Sequence, residues 1–256
     1  MLYQHEWVFL SAQNKYHVLK PDNYYWDFEL VLPGSLIETI DTWNGSYFRY
    51  SLKAVVERSI FFSNLSTDRR IQINRCLVSN SLISLQGTFV FHSWENKAEY
   101  EISVSSKYFC LGGKIPIEIT IRPLILGLKV FQIYCGFKEI ITYKVRSKEV
   151  INERIICFTK NRSATFYEGV WSENREILIS SRCLPDSEND QIRIQHELTF
   201  SIILQNEENK VFTELRNVLP VIITCPMGSI DDIILPAYSK GITENPSHLS
   251  SSLPDD

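Results

Sequence analysis

Few residues in this chain have the chemistry to act, and they are scattered. His196 falls in Ile192-Arg-Ile-Gln-His-Glu-Leu-Thr-Phe200, on the same side as Ile192, Ile194, Leu198 and Phe200. A histidine on an apolar face reads as a hydrogen-bonded core residue before it reads as a base. His5, His17, His92 and His248 share no metal-ligand spacing. Cys76, Cys110, Cys135, Cys157, Cys183 and Cys225 contain no Cys-x-x-Cys pair, so neither a zinc site nor a redox dithiol is indicated. Gly112-Gly-Lys114 lacks the rest of a phosphate-binding loop and reads as a turn. Asp231 and Asp232 are adjacent, and adjacent side chains diverge in extended chain, so they make no acid–base pair. The expectation is no catalytic residue, no cofactor and no metal. One short linear segment stands apart, Leu235-Pro236-Ala237-Tyr238. A proline-containing extended segment loses little entropy on binding. Its ring suits an aromatic groove, with the tyrosine filling a second pocket. The plainer reading is that Leu235 and Tyr238 pack the end of the fold.

The elements that would carry these residues are strands. Trp26, Phe28, Leu30 and Leu32 share one face, with Asp27 and Glu29 on the other. Phe48, Tyr50, Leu52, Ala54 and Val56 alternate with Arg49, Ser51, Lys53 and Val55. Ile115, Ile117, Ile119 and Ile121 alternate with Pro116, Glu118, Thr120 and Arg122, and the longest run extends from Ile192 to Leu204. A period of 2 puts one set in a core and the other in water. Pro33-Gly34, Asn44-Gly45, Gly112-Gly113, Pro185-Asp186 and Pro226-Met-Gly228 supply turns, and Glu207-Glu208 reads as a hairpin tip. Without long amphipathic helices between the strands, antiparallel sandwiches are expected rather than a wound α/β sheet. The stretch 146–156 has mixed periodicity and receives no assignment.

The chain has 256 residues, 44% of them apolar, with 14 Phe, 12 Tyr and 5 Trp. That suffices for two β-sandwiches of roughly 100 residues each. Net charge is −4 and no basic stripe appears, so no nucleic-acid partner is expected. No apolar run reaches the ~18 residues of a spanning helix. The opening residues lack the basic-then-apolar layout of a signal peptide, so the expected location is cytoplasmic. A boundary is placed between residues 92 and 93. Residues 1–92 are expected to form a first, incomplete sandwich and 93–230 a second. Residues 231–256 are expected to be a short disordered tail.

Several passages resemble fungal α-arrestins, the arrestin-related trafficking adaptors. Tyr25-Trp-Asp-Phe-Glu-Leu-Val-Leu-Pro-Gly-Ser-Leu-Ile-Glu-Thr-Ile40 is similar to a strand-and-turn passage of that family, with Ile37 where proline is usual. Tyr50-Ser-Leu-Lys-Ala-Val-Val-Glu-Arg58, Arg69-Arg-Ile-Gln-Ile-Asn-Arg-Cys-Leu77 and Trp94-Glu-Asn-Lys-Ala-Glu-Tyr-Glu-Ile-Ser-Val104 continue it. So do Gly112-Gly-Lys-Ile-Pro-Ile117, Pro123-Leu-Ile-Leu-Gly-Leu-Lys129 and Ile194-Gln-His-Glu-Leu-Thr-Phe200. The matches run from about Trp7 to Pro236 in the family's order. The resemblance implies an all-β chain of two arrestin-like antiparallel sandwiches. The first appears without its opening strands, and the usual long tail with several Pro-Pro-x-Tyr motifs is nearly absent.

The resemblance also implies a function. An adaptor of this kind would recognise cytoplasmic tails of membrane transporters or receptors. Leu235–Tyr238, similar to the (Leu/Pro)-Pro-x-Tyr ligands of WW domains, would recruit a WW-containing HECT-type ubiquitin ligase. Such an adaptor acts in the cytoplasm and is recruited to the plasma membrane or endosomes. Peripheral membrane contact through Arg69 and Arg70 amounts to only about 1 kcal/mol per charge. Lys53, Lys138 and Lys144 are candidate ubiquitin acceptors, whereas Lys129 reads as structural. The alternatives are an arrestin-fold scaffold without a ligase, or a non-functional fragment. An enzyme would need paired carboxylates or a histidine-rich triad, and neither pattern is present.

Overall fold

The computed structural model describes residues 3–10, 17–59, 61–75, 87–145, 148–161 and 165–225. The chain divides after Cys225, and everything beyond lies outside the described residues. That includes the expected turn at Pro226 and the tail 231–256.

The fold is all-β, with antiparallel sheets throughout save one parallel pairing. The strands that build the larger sandwich are β5 (Thr88–Trp94), β6 (Ala98–Val104), β7 (Tyr108–Cys110), β8 (Lys114–Pro123), β9 (Leu128–Val145) and β10 (Lys148–Asn161). They continue with β11 (Thr165–Tyr167), β12 (Val170–Leu178), β13 (Ser187–Glu188), β14 (Ile192–Asn206) and β15 (Phe212–Thr224). One sheet has the order β10-β9-β14-β15-β7, with β13 pairing β14. The other has the order β11-β12-β8-β6-β5. The strand β5 runs across residues 92 and 93 and pairs along its length with β6.

Alternation explains why these segments are strands. In β8, Ile115, Ile117, Ile119 and Ile121 are all fully buried while their neighbours face water. They meet Tyr100 and Ile102 of their own sheet and Phe137, Leu198, Phe200 and Ile202 of the facing one, in a single apolar core. Burying such side chains stabilises by about 1.5–3 kcal/mol each. Tyr100 spans the sheets, its hydroxyl donating to Asn217 Oδ1 at 3.1 Å. The β5–β6 turn puts both Glu95 and Asn96 at positive φ, 47° and 53°, and Lys97 N–H closes it onto Trp94 O at 2.7 Å. That is the twist a two-residue hairpin requires.

Ahead of β5 the described residues form two small sheets, β1 (Ile40–Asp41) with β2 (Tyr47–Phe48), and β3 (Tyr50–Val56) with β4 (Leu65–Ile71). Ile37 and Ile40 pack on Ile141, Ile192 and Ile194 in a second, smaller core. The alternating run Trp26–Leu32 forms no ladder, contrary to expectation. No described strand lies alongside to accept its hydrogen bonds. Its rings instead meet those of an earlier segment, Trp7 on Phe28 and Phe9 on Trp26, at 5.0 and 6.0 Å between centroids. The unassigned stretch 146–156 falls largely within β10, a strand with a register shift between Ile155 and Cys157.

Candidate functional site

The Leu235-Pro236-Ala237-Tyr238 segment and Asp231–Asp232 lie outside the described residues. Of the candidate acceptor lysines, Lys53 is exposed on β3. Lys138 is bound by Glu197 at 2.6 Å and Glu153 at 3.3 Å, and the hydrogen bond to Glu197 chiefly raises its pKa. Lys144 donates to Asn189 O at 3.2 Å. Lys129 forms an exposed ion pair with Glu207. Arg69 and Arg70 are exposed on β4. No cluster of His, Cys, Asp and Glu suited to a metal occurs among the described residues. No described helix is long and apolar enough to cross a membrane.

The outer face of the first-named sheet carries an aromatic groove of about 440 Å³, lined by Tyr134, Phe158, Ser201, Ile203, Phe212 and Glu214. Tyr134 stacks on Phe158 at 5.4 Å, and Phe131 meets the edge of Phe212 at 5.0 Å. Next to it a second depression includes Gly136, Thr199 and Phe158. A Cβ at Gly136 would stand 2.6 Å from Thr199 Oγ1, so only glycine fits there without a shift.

Beneath the opposite face lies a charged belt. His196 of β14 is 2% exposed and stacks on Phe137. Its Nδ1 is 2.8 Å from Asp186 Oδ1, which also accepts the Ile223 N–H at 2.7 Å. Its Nε2 stands 3.4 Å from Glu139 Oε2, without hydrogen-bond alignment. Glu139 is fully buried and accepts from Arg154 Nε at 2.7 Å and the Leu184 N–H at 3.1 Å. Burial pushes His196 toward its neutral form. The Asp186 hydrogen bond and the Glu139 carboxylate together outweigh it, holding its pKa above 6.5. For Glu139, burial favours the protonated acid but yields to His196, Arg154 and the Leu184 N–H, so its pKa lies below 4.5. The expected core histidine is thus present and hydrogen-bonded. Its acidic partners were not among the expected site residues.

A second buried pair sits inside the sandwich. Arg175 Nε donates to Glu173 at 2.5 Å, and its Nη2 donates to Ile133 O at 3.2 Å, tying the two sheets together. Near it, burial pushes the Cys135 thiol up to about 12, so it is inert at neutral pH.

Two stacked, almost wholly antiparallel sheets around one core, preceded by two small two-stranded sheets, are an arrestin-type architecture. Residues 94–227 match the family model "Arrestin (or S-antigen), C-terminal domain", just over half of the chain, and the chain belongs to the arrestin family. Among curated proteins it is similar to Arrestin domain-containing protein C31A2.12 of Schizosaccharomyces pombe, at 30% identity over 88% of this chain and 39% of that one. It is also similar to the HECT-type ubiquitin ligase-interacting protein creD of Emericella nidulans, at 28% identity over 91% and 42%. The chain spans about two fifths of the length of these relatives. The solved structure of Spo0M, a sporulation control protein from Bacillus subtilis, aligns over 51% of this chain and 50% of that one. Its TM-score of 0.39 and 5% identity are too slight to bear on function.

Proposed function

We propose that this chain is an arrestin-type adaptor joining the cytoplasmic tails of membrane transporters or receptors to a HECT-type ubiquitin ligase. The observation that carries the reading is the arrestin match over residues 94–227, together with relatives whose names describe ligase interaction. No step of covalent chemistry falls to the chain itself. By holding cargo and ligase together it raises the effective concentration of cargo lysines at the ligase. Leu235-Pro236-Ala237-Tyr238 is the ligase-docking segment in this reading, contacting a WW domain. The adaptor works in the cytoplasm and is recruited to the plasma membrane or endosomes. Cargo tails are bound by sheet edges and exposed strand faces, of which β5 with Phe89 and Phe91 is an example.

The test is a binding titration of the full chain against isolated WW domains, with Tyr238→Ala alongside. A single motif is expected to bind weakly, and the substitution to abolish that binding. Equal binding by both forms would remove Leu235–Tyr238 from the account. Affinity capture from cells that recovers neither a membrane transporter nor a ubiquitin ligase would overturn the adaptor reading as a whole.

A further inference from the structure

We propose that the segment Ile179–Asp186 is a proton-operated latch, held shut by protonated His196 clamped between Asp186 and Glu139 and released when His196 is neutral. Both ring nitrogens face carboxylate oxygens, at 2.8 and 3.4 Å, and the side chains of His196 and Glu139 have no solvent access. An imidazolium donates its Nδ1–H to Asp186 and sets its positive charge 3.4 Å from Glu139, to which Nε2 is not aligned for a hydrogen bond. A neutral imidazole has one N–H and one lone pair, so either tautomer turns a lone pair toward a buried carboxylate. Of the three side chains only Asp186, 16% exposed, borders solvent, so the cost at His196 and Glu139 is not relieved by hydration.

The two carboxylates also fasten the far end of the segment, whose start is held by backbone hydrogen bonds between Ile179 and Gly112 and Gly113. Asp186 accepts the Ile223 N–H from β15, and its own N–H donates to Ile223 O at 2.7 Å. Glu139 of β9 accepts the Leu184 N–H. The charged groups around the histidine are therefore Asp186 from the segment, Glu139 from β9 and Arg154 from β10. Trp43 lies over the Arg154 guanidinium at 5.8 Å, and the Cys183 thiol sits nearby. With His196 charged, two cations balance two anions. With His196 neutral, Arg154, paired with Glu139 at 2.7 Å, is the cation left among these groups against two anions. The repulsion is then relieved at Asp186, whose side chain borders solvent at 16% exposure, rather than at Glu139, which is buried in the middle of a long strand.

Release reaches both apolar cores. Cys183 is 5% exposed and belongs to the sandwich core, while Leu184 packs with Ile37 and Ile40 in the smaller one. An open segment uncovers the first and loosens the seat of Ile37 and Ile40 on the second. The His196 belt lies at the level where one core gives way to the other, between Ile194 and Leu198 of β14. A fall in pH would thus tighten the junction and a rise would loosen it.

The test uses the full chain. Amide exchange at Leu184 and Ile223 is followed by NMR from roughly pH 6 to roughly pH 8.5, corrected for intrinsic base catalysis, and the His196 imidazole is titrated in the same sample. Protection at both amides should fall by about tenfold or more, the loss of one charge-assisted hydrogen bond. The midpoint should coincide with that of His196, while Leu198 and Phe200 amides stay protected. Alkylation of Cys183, read against exposed Cys110 in the same chain, should rise over the same interval. In His196→Gln both readouts should lose their pH dependence. Constant protection in the wild type, or a midpoint displaced from that of His196, would overturn the latch, whether or not the variant folds.

Discussion

Replacing Gly136 by alanine tests whether the floor of the outer depression is as tight as its geometry states. The new Cβ would lie 2.6 Å from Thr199 Oγ1, well inside contact distance, but at ordinary distances of 3.8 and 3.9 Å from Phe158 Cδ2 and Cys157 O. Threonine is stiff at χ1 in a strand, so the hydroxyl cannot swing away freely. Overpacking of this kind costs about 1–3 kcal/mol. Alanine at an extended position recovers about 0.4–1 kcal/mol by narrowing the unfolded ensemble. The net expectation for Gly136→Ala is a loss of about 1–2 kcal/mol, or a Tm lower by roughly 2–8 °C for a domain of this size. Thr199→Ala alone forfeits only the 3.4 Å hydrogen bond to Gly136 O and should cost about 1 kcal/mol or less. The double variant should regain most of the alanine penalty, a coupling of at least about 1 kcal/mol in a urea-unfolding cycle. Simple additivity would show that the steric reasoning is wrong.

Ile119→Ala, in the centre of β8 at 1% exposure, should cost about 2–5 kcal/mol, read from urea midpoints at unchanged m value. Glu95→Gly should stabilise by about 0.5–1 kcal/mol, because glycine adopts the φ of 47° without penalty and the exposed pair with Lys97 is worth little. Stability should also depend on pH through the belt. The folded pKa of His196 lies above 6.5, so its contribution is complete below 6.5 and is lost as pH rises through the folded value. The folded pKa of Glu139 lies below 4.5, so its contribution is present above 4.5 and is lost as pH falls through the folded value. Urea midpoints should therefore decline on both sides of a plateau, and in His196→Gln the alkaline decline should shrink.

The strands with one wet face were legible from residue order alone. Ile115–Ile121 and Ile192–Leu204 alternate, and the structure buries the expected set in each. β10 was hidden because the shift between Ile155 and Cys157 breaks the period, and because both of its faces stay partly exposed. Trp26–Leu32 failed in the other direction. Alternation tells which side a residue faces, but not whether a neighbouring strand exists to pair with. His196 was placed correctly as a core residue, whereas its partners come from β9 and from a turn. One signal was available: Glu139 continues the inward series Ile133, Cys135, Phe137 and Ile141, where a carboxylate demands a buried counter-charge.

β15 is wedged between β14 and β7, and it meets β7 in parallel, Ile222 against Tyr108 and Thr224 against Cys110. A sheet finished in this way cannot be completed by local hairpins. During synthesis β7 is made early and waits, its backbone donors and acceptors bare, until a segment more than a hundred residues later emerges to cover them. Pairings of such long range form slowly, and an open strand edge in the interim invites association with other nascent chains. For this molecule the vulnerable moment is the interval before Phe212–Thr224 slides into its slot, and chaperone demand should fall once that closing strand is in place.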